Sequence, residues 1–408
     1  MKLKYFCLAL IAIIAGSLIY YWPTLVEIQA LRKYAATFEA DAIDENFRSL
    51  FQLNASISIP NNGPSLPLEY ASTATPLPSH FDFYGEQREF KEFLERTHTT
   101  GLLVIKDGFV ISEDYARGNT AESQVLMASV SKSMTAMLIG IAVDEGRINI
   151  DELVTNYAPA LKGSGYEGIT VRQTLNMSTG IKWSEDYGDY DSEIVQSLVA
   201  MTVGSLDQFA ASMMADHPAG TRKLYASINT HVLSMVLRGA TGESYQSYFE
   251  RNLWSKIGAE DDVKMLVDSL GEPLAFGGAN IRLHDMARFG LVYLNEGRNL
   301  AGEQIVSSDW VRKSYSPEAQ HLRPIDQGNQ PGTRFGYANH WWLPPTQDGN
   351  DFAAIGIYGQ YIYINPKYKI LIAKTSAYPD YLLDGGLMDL ESLVAFQSLA
   401  RQLATSPQ

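Results

Sequence analysis

A chain of 408 residues, 46% hydrophobic and 19% charged, can bury a large core and has the composition of an ordinary globular protein. Its formal net charge of −14 leaves no basic stripe to neutralise phosphates, which argues against a nucleic-acid partner. The single cysteine, Cys7, rules out a disulfide within the chain.

Lys2 and Lys4 precede an apolar run from Tyr5 to Trp22, about the shortest length that spans a bilayer as a helix. The lysines on one side and Tyr20, Tyr21 and Trp22 on the other suit an inserted segment with the remainder exported. The expectation is an N-terminal membrane anchor over residues 1–25, with a disulfide-free catalytic domain on the periplasmic side of a bacterial membrane. The alternative is a signal segment cleaved near Ala15-Gly16-Ser17, which would release a secreted protein. The apolar run continues past that site, which favours the retained anchor.

Residues 26–85 read as a helical and extended strap or linker. Val26 to Leu50 is helical, with Leu31, Tyr34, Phe38, Ile43, Phe47 and Leu50 on one face. Phe51 to Phe83 is rich in Pro, Asn, Ser and Thr, which fits either a strap laid on the domain or a spacer. Glu86 to Arg96 has the pattern of a short amphipathic helix. Gly101 to Ile105 and Phe109 to Tyr115, joined through Lys106-Asp107-Gly108, carry a strong hairpin signal.

Met127 to Gly146 reads as a buried central helix, with Met134, Met137, Leu138, Ile141 and Ala142 recurring at three- and four-residue spacing. Its first turn carries Ser129 and Lys132, which share one helical face. The positive end of the helix dipole favours a serine alkoxide, and a desolvated lysine there can lose its charge near neutral pH. The pair alone fits a capping serine followed by a solvated lysine equally well.

Val154 to Asp268 alternates short helical patterns with loops. It holds the acidic run Glu185 to Glu193, either a solvated loop or a wall in which Asp186, Asp189 and Asp191 attract a cationic substrate group. The run does not match a calcium-loop template and no H-E-x-x-H occurs, so no metal is expected. There is no G-x-S-x-G, and His231 sits in an apolar helix as a core or lobe-contact histidine. Three β-rich runs follow, Phe352 to Ile357, Tyr361 to Asn365 and Lys369 to Thr375, before a closing helix from Leu387 to Leu403. This order predicts an α/β (α+β) domain over residues 86–408. One antiparallel sheet flanked by helices forms a sheet lobe (about 86–153 and 330–408), with an inserted, mainly helical lobe (about 154–329).

Lys223-Leu224-Tyr225-Ala226-Ser227-Ile228-Asn229 lies just before an apolar helix. With Ser129 and Lys132 it resembles the motifs of the serine β-lactamase and penicillin-binding-protein superfamily, closest to the class C-like branch with family VIII carboxylesterases and 6-aminohexanoate-dimer hydrolases. GLLVIKDGFVISEDY, TLNMSTGIKWSEDY, GGANIRLHDMARFGLVYLNEG and FGYANHWW extend the resemblance over Thr100 to Ala404.

The resemblance implies a β-lactamase/transpeptidase-like fold with Ser129, Lys132 and Tyr225 as catalytic residues. Ser227 stands where many relatives carry asparagine, in a position to bond Lys132 or the substrate. The third motif falls at Ala354 to Gln360 and has the Gly-x-x-Gly-Gln form, without the cation that meets a β-lactam carboxylate. Lys374-Thr375-Ser376 is a decoy for that triplet. The oxyanion donors implied are the backbone N–H groups of Ser129 and Ile357, and Tyr358, Asp186 and Asp189 are candidate substrate contacts.

The function implied is a serine hydrolase for small-molecule esters or small amides, acting through an acyl-enzyme without metal or organic cofactor. The alternatives are a β-lactamase or D-amino-acid peptidase, and a penicillin-recognising membrane sensor that does not turn over. The acidic run would favour aminated substrates. No sequence feature specifies an oligomeric state.

Overall fold

A computed structural model describes residues 27–405 apart from 74, 329 and 331. The anchor or signal segment expected over residues 1–25 lies outside the described residues, among which no helix is long and apolar enough to cross a membrane.

The early hairpin seeds an eight-stranded sheet. Thr99–Lys106 and Phe109–Tyr115 pair antiparallel around Asp107 and Gly108. Both turn residues have positive φ (53° and 92°), the geometry that a two-residue turn matched to strand twist requires and that Asp-Gly adopts readily. The late strands then join one another and the hairpin. The order is Gly336–Ala338, Trp341–Leu343, Phe352–Gly356, Gln360–Asn365, Ile370–Ser376, Thr99–Lys106, Phe109–Tyr115 and Glu69–Tyr70. Ile370–Ser376 lies antiparallel to Thr99–Lys106, so the two ends of the chain meet in the middle of the sheet.

Every residue of Phe352–Gly356, Gln360–Asn365 and Ile370–Ser376 is buried, because both faces of the sheet are covered. On one face the closing helix Leu387–Thr405 and the helix Phe90–Arg96 pack over Tyr361, Tyr363 and Ile372. On the other face lies the helix Leu283–Leu294. Gly290 makes its close approach possible, since a β-carbon there would fall 2.5 Å from Leu371 and 2.7 Å from Ile362. This helix belongs by sequence to the 154–329 stretch yet covers the sheet.

The expected helix over Glu86 to Arg96 is shorter. Glu86–Glu89 is a strand paired with His80–Phe83, and the helix is Phe90–Arg96. Tyr84 and Gly85 (φ 51° and 93°) make a hairpin turn, and alternation buries Phe81 and Phe83. The Val26 to Leu50 helix is likewise two helices, one over residues 27–37 and the other Ile43–Leu53. The break lets Phe38 stack on Tyr358 (centroids 4.8 Å apart) while Phe47 meets the same ring edge-on at 5.5 Å.

The Pro-rich stretch beyond is bonded to the domain. Ser56–Ile59 runs antiparallel to Val263–Leu266 in a second sheet that continues through Ala279–Ile281 to Val125–Leu126, just ahead of Ser129.

Candidate active site

The helix Val130–Asp144 is buried on all sides up to Ala142, its apolar run from Ala136 to Ala142 following a first half in which Ser131, Lys132, Ser133 and Thr135 are buried too. Met127 is held to the second sheet by its N–H donating to the Ala279 carbonyl at 2.8 Å. Ala128 then adopts φ +44°, a conformation that costs a non-glycine residue about 1–2 kcal/mol. This turn sets Ser129 at the start of the helix, where its hydroxyl makes no capping bond.

Lys132 is 1% exposed, so it is no solvated lysine. Its Nζ donates to Ser129 Oγ at 2.8 Å and to the Phe276 carbonyl at 2.8 Å. Burial drives its pKa down to about 7, against a smaller opposing pull from Glu185.

Tyr225 precedes the helix Ile228–Thr241 and completes the cluster. Lys132 Nζ lies 5.1 Å from its ring centroid, and the ring stacks on Trp342 at 5.1 Å. Burial, with the Glu185 charge adding to it, holds the phenol well above its ordinary value, against a smaller opposing pull from Ser129. At neutral pH the resting site thus holds a protonated phenol and a lysine close to half-neutral.

Ser227 is fully buried and does not reach Lys132; its hydroxyl and its N–H both donate to the Glu185 carboxylate. Glu185 is the site residue that sequence reasoning missed. It also accepts from Trp183 Nε1 (2.5 Å) and from the Tyr187 hydroxyl (3.0 Å). The available signal was the alternation Trp183-x-Glu185-x-Tyr187, which puts all three on one side of an extended chain. His340 was missed as well. At φ +63° its carbonyl accepts from Ser133 Oγ (2.7 Å) and its ring bonds Thr230 Oγ1 (3.0 Å), tying the Ser129 helix to the Tyr225 helix. Burial, helped by Lys132, holds that imidazole near a pKa of about 3.

The third motif meets Ser129 through Gly356. A β-carbon at this glycine would lie 3.2 Å from the Ser129 nitrogen and 2.6 Å from the Met127 carbonyl oxygen. Ile357, one residue on, lines the same cavity as Ser129.

Two groups of candidates lie elsewhere. Tyr358 is 2% exposed, packs between Phe38, Phe47 and Tyr381, and does not line that cavity. Asp186, Asp189 and Asp191 are exposed and outside the cavity wall. Asp186 accepts from the Gly188 N–H and Asp189 from the Asp191 N–H, each at 2.9 Å, so these two carboxylates shape their own loop.

Lys374 sits on the opposite face of the sheet, between the rings of Phe93 and Tyr361, with Nζ on Ser376 Oγ. Burial lowers its pKa to about 7 too. A buried lysine on a serine therefore does not by itself mark the site; Ser129 lines an open cavity, whereas Ser376 is fully buried and does not. Among the described residues no cluster of His, Cys, Asp and Glu is arranged to hold a metal.

Comparison with known proteins places these features in context. A family model described as Beta-lactamase matches residues 87–381. A curated relative, the 6-aminohexanoate-dimer hydrolase of Paenarthrobacter ureafaciens, is 30% identical over 346 residues, covering 82% of this chain and 85% of its own. A solved structure provisionally described as a 6-aminohexanoate-dimer hydrolase from Bacillus anthracis superposes with a TM-score of 0.80 at 23% identity, over 91% of this chain and 97% of that one. A family VIII carboxylesterase shares the fold at a TM-score of 0.52 and 17% identity, over 76% and 97% of the two chains.

Proposed function

The chain belongs to the beta-lactamase family and is a serine hydrolase, and from that membership we propose that it cleaves esters or small amides through an acyl-enzyme on Ser129. The observation that carries this reading is the 2.8 Å contact between Ser129 Oγ and a buried Lys132 whose pKa is brought to about 7. In the neutral lysine Nζ is an acceptor, so the serine proton has a place to go.

Ser129 Oγ attacks the carbonyl carbon as its proton passes to Lys132 Nζ. The oxyanion is met by the backbone N–H groups of Ser129 and of Ile357, the residue that follows the Gly356 contact. As the tetrahedral species collapses, the bond to the leaving group breaks and the Tyr225 phenol hands its proton to the departing oxygen or nitrogen. Lys132 returns a proton to the phenolate. Water then adds to the acyl-enzyme, its proton following the same route, and the acid is released with Ser129 restored. The raised pKa of Tyr225 suits a donor, and the lowered pKa of Lys132 suits the resting base.

Steady-state hydrolysis of 4-nitrophenyl butanoate tests this. Turnover that falls by about 10³-fold or more in both Ser129→Ala and Lys132→Met supports it; undiminished turnover in either variant counts against it. For the apolar residues 5–22 we propose a retained membrane anchor, which predicts that the full chain sediments with membranes until that segment is removed.

A further inference from the structure

Ser129 opens onto a chamber of about 120 Å³ with mostly apolar walls. Ala30, Lys33 and Tyr34 reach it from the helix over residues 27–37, and Val195, Leu198 and Val199 reach it from the helix Glu193–Val203. Several contacts fix the first helix in place, among them Lys33 Nζ donating to the Leu53 carbonyl. The Tyr34 hydroxyl donates to the Tyr187 carbonyl at 3.1 Å, and Phe38 at its end stacks on Tyr358.

The chamber's position relative to the cluster tells which half of a substrate it takes. Ser129 and Ile357 line it, whereas Tyr225 and Lys132 do not. A leaving group must depart beside the group that protonates it, so it lies toward Tyr225. The chamber is therefore the acyl side.

Its electrostatics are equally definite. Among the described residues Lys33 is the only charged side chain lining it, and no carboxylate does. Glu185, the nearby buried-site carboxylate, already accepts from Trp183, Tyr187 and twice from Ser227, which fills its lone pairs. An ammonium group at the end of an acyl chain would meet no carboxylate among these mostly apolar walls, and the one cation lining them, Lys33, is exposed and donates to the Leu53 carbonyl. In size, an apolar cavity of about 150 Å³ holds a benzene molecule.

We propose that the helix over residues 27–37 is the acyl-side wall of this site, and that the chamber selects an uncharged aliphatic acyl chain of about four to six carbons over one that ends in an ammonium group. This rests on the acyl-transfer reading above. It separates this chain from its relative named for an aminohexanoate dimer, at the level of the acyl group accepted.

The test uses the full chain and two substrate sets. The first is 4-nitrophenyl acetate, butanoate, hexanoate and decanoate; the second is ethyl hexanoate against ethyl 6-aminohexanoate, followed by proton release. The expected kcat/KM rises roughly fourfold per added methylene to hexanoate and falls at decanoate. Ethyl hexanoate should be favoured over its aminated analogue on the order of tenfold or more. Ala30→Phe should cut the hexanoate-to-acetate ratio on the order of tenfold, and Lys33→Glu should raise the aminohexanoate-to-hexanoate ratio. A flat chain-length profile, equal use of the two ethyl esters, or ratios unmoved by both variants would overturn the assignment while leaving ester hydrolysis intact. Inertness toward every ester would instead remove the acyl-transfer reading and this inference with it.

Discussion

Gly356 abuts Ser129 so closely that a β-carbon on the glycine would lie 3.2 Å from the serine nitrogen and 2.6 Å from the Met127 carbonyl oxygen. Backbone cannot yield as a flexible side-chain tip can, so any side chain here pushes the third-motif strand off the Ser129 turn. Gly356→Ala should therefore spoil the paired backbone donors, lowering kcat on the order of 10²-fold with a smaller change in KM. Steady-state kinetics on a short ester checks it, with circular dichroism to confirm the fold; an unchanged kcat would remove Ile357 from the oxyanion site.

The two buried lysines should separate in a pH experiment. Each has a folded pKa of about 7 against an ordinary 10.5, so between pH 7 and 9 the unfolded chain binds a proton at each site that the folded chain has released. Stability gained from this source rises with pH, by about 1.4 kcal/mol per pH unit per lysine at most. Lys132→Met and Lys374→Met should each flatten the slope of unfolding free energy against pH by about one proton's worth. Only Lys132→Met should abolish ester turnover, because Lys374 faces the other side of the sheet. In the parent protein kcat/KM should climb through an inflection near pH 7 as Lys132 loses its proton.

Glu185→Gln tests the anchor beneath Tyr225 and Ser227. The Glu185 charge raises the Lys132 pKa, so its removal should move the kcat/KM inflection to lower pH. The amide also brings two donors into a position where Trp183, Tyr187 and Ser227 all donate, so stability should fall by about 1–3 kcal/mol. A lower melting temperature with an unmoved pH profile would make Glu185 purely structural.

Neutralising Asp186, Asp189 and Asp191 together should change KM for aminated and neutral esters alike, by less than about twofold, since Asp186 and Asp189 serve their own loop. A selective rise in KM for the aminated ester would establish them as substrate contacts.

The parts of this architecture that were legible in sequence are those written locally. Asp107-Gly108 demands a hairpin, the apolar Met127 to Gly146 stretch demands burial, and Ser129, Lys132 and Tyr225 stand in short motifs that the fold brings together. The parts that escaped depend on distant partners. Glu185 was indistinguishable from the exposed aspartates around it until Ser227, some forty positions on, closed over its carboxylate. The packing of Tyr358 escaped because nothing in the local pattern shows Phe38 stacking on it from more than 300 residues away. The helix Leu283–Leu294 read as part of the helical insertion because Gly290 gains meaning only against Leu371 and Ile362.

The central claim, an acyl-enzyme on Ser129, is tested most directly by intact mass of the full chain, quenched with acid during turnover of 4-nitrophenyl butanoate. The account predicts a species heavier by one butanoyl group, mapped to the peptide that contains Ser129 and absent from Ser129→Ala. Ester turnover with no covalent species at any quench time, persisting in Ser129→Ala, would contradict it.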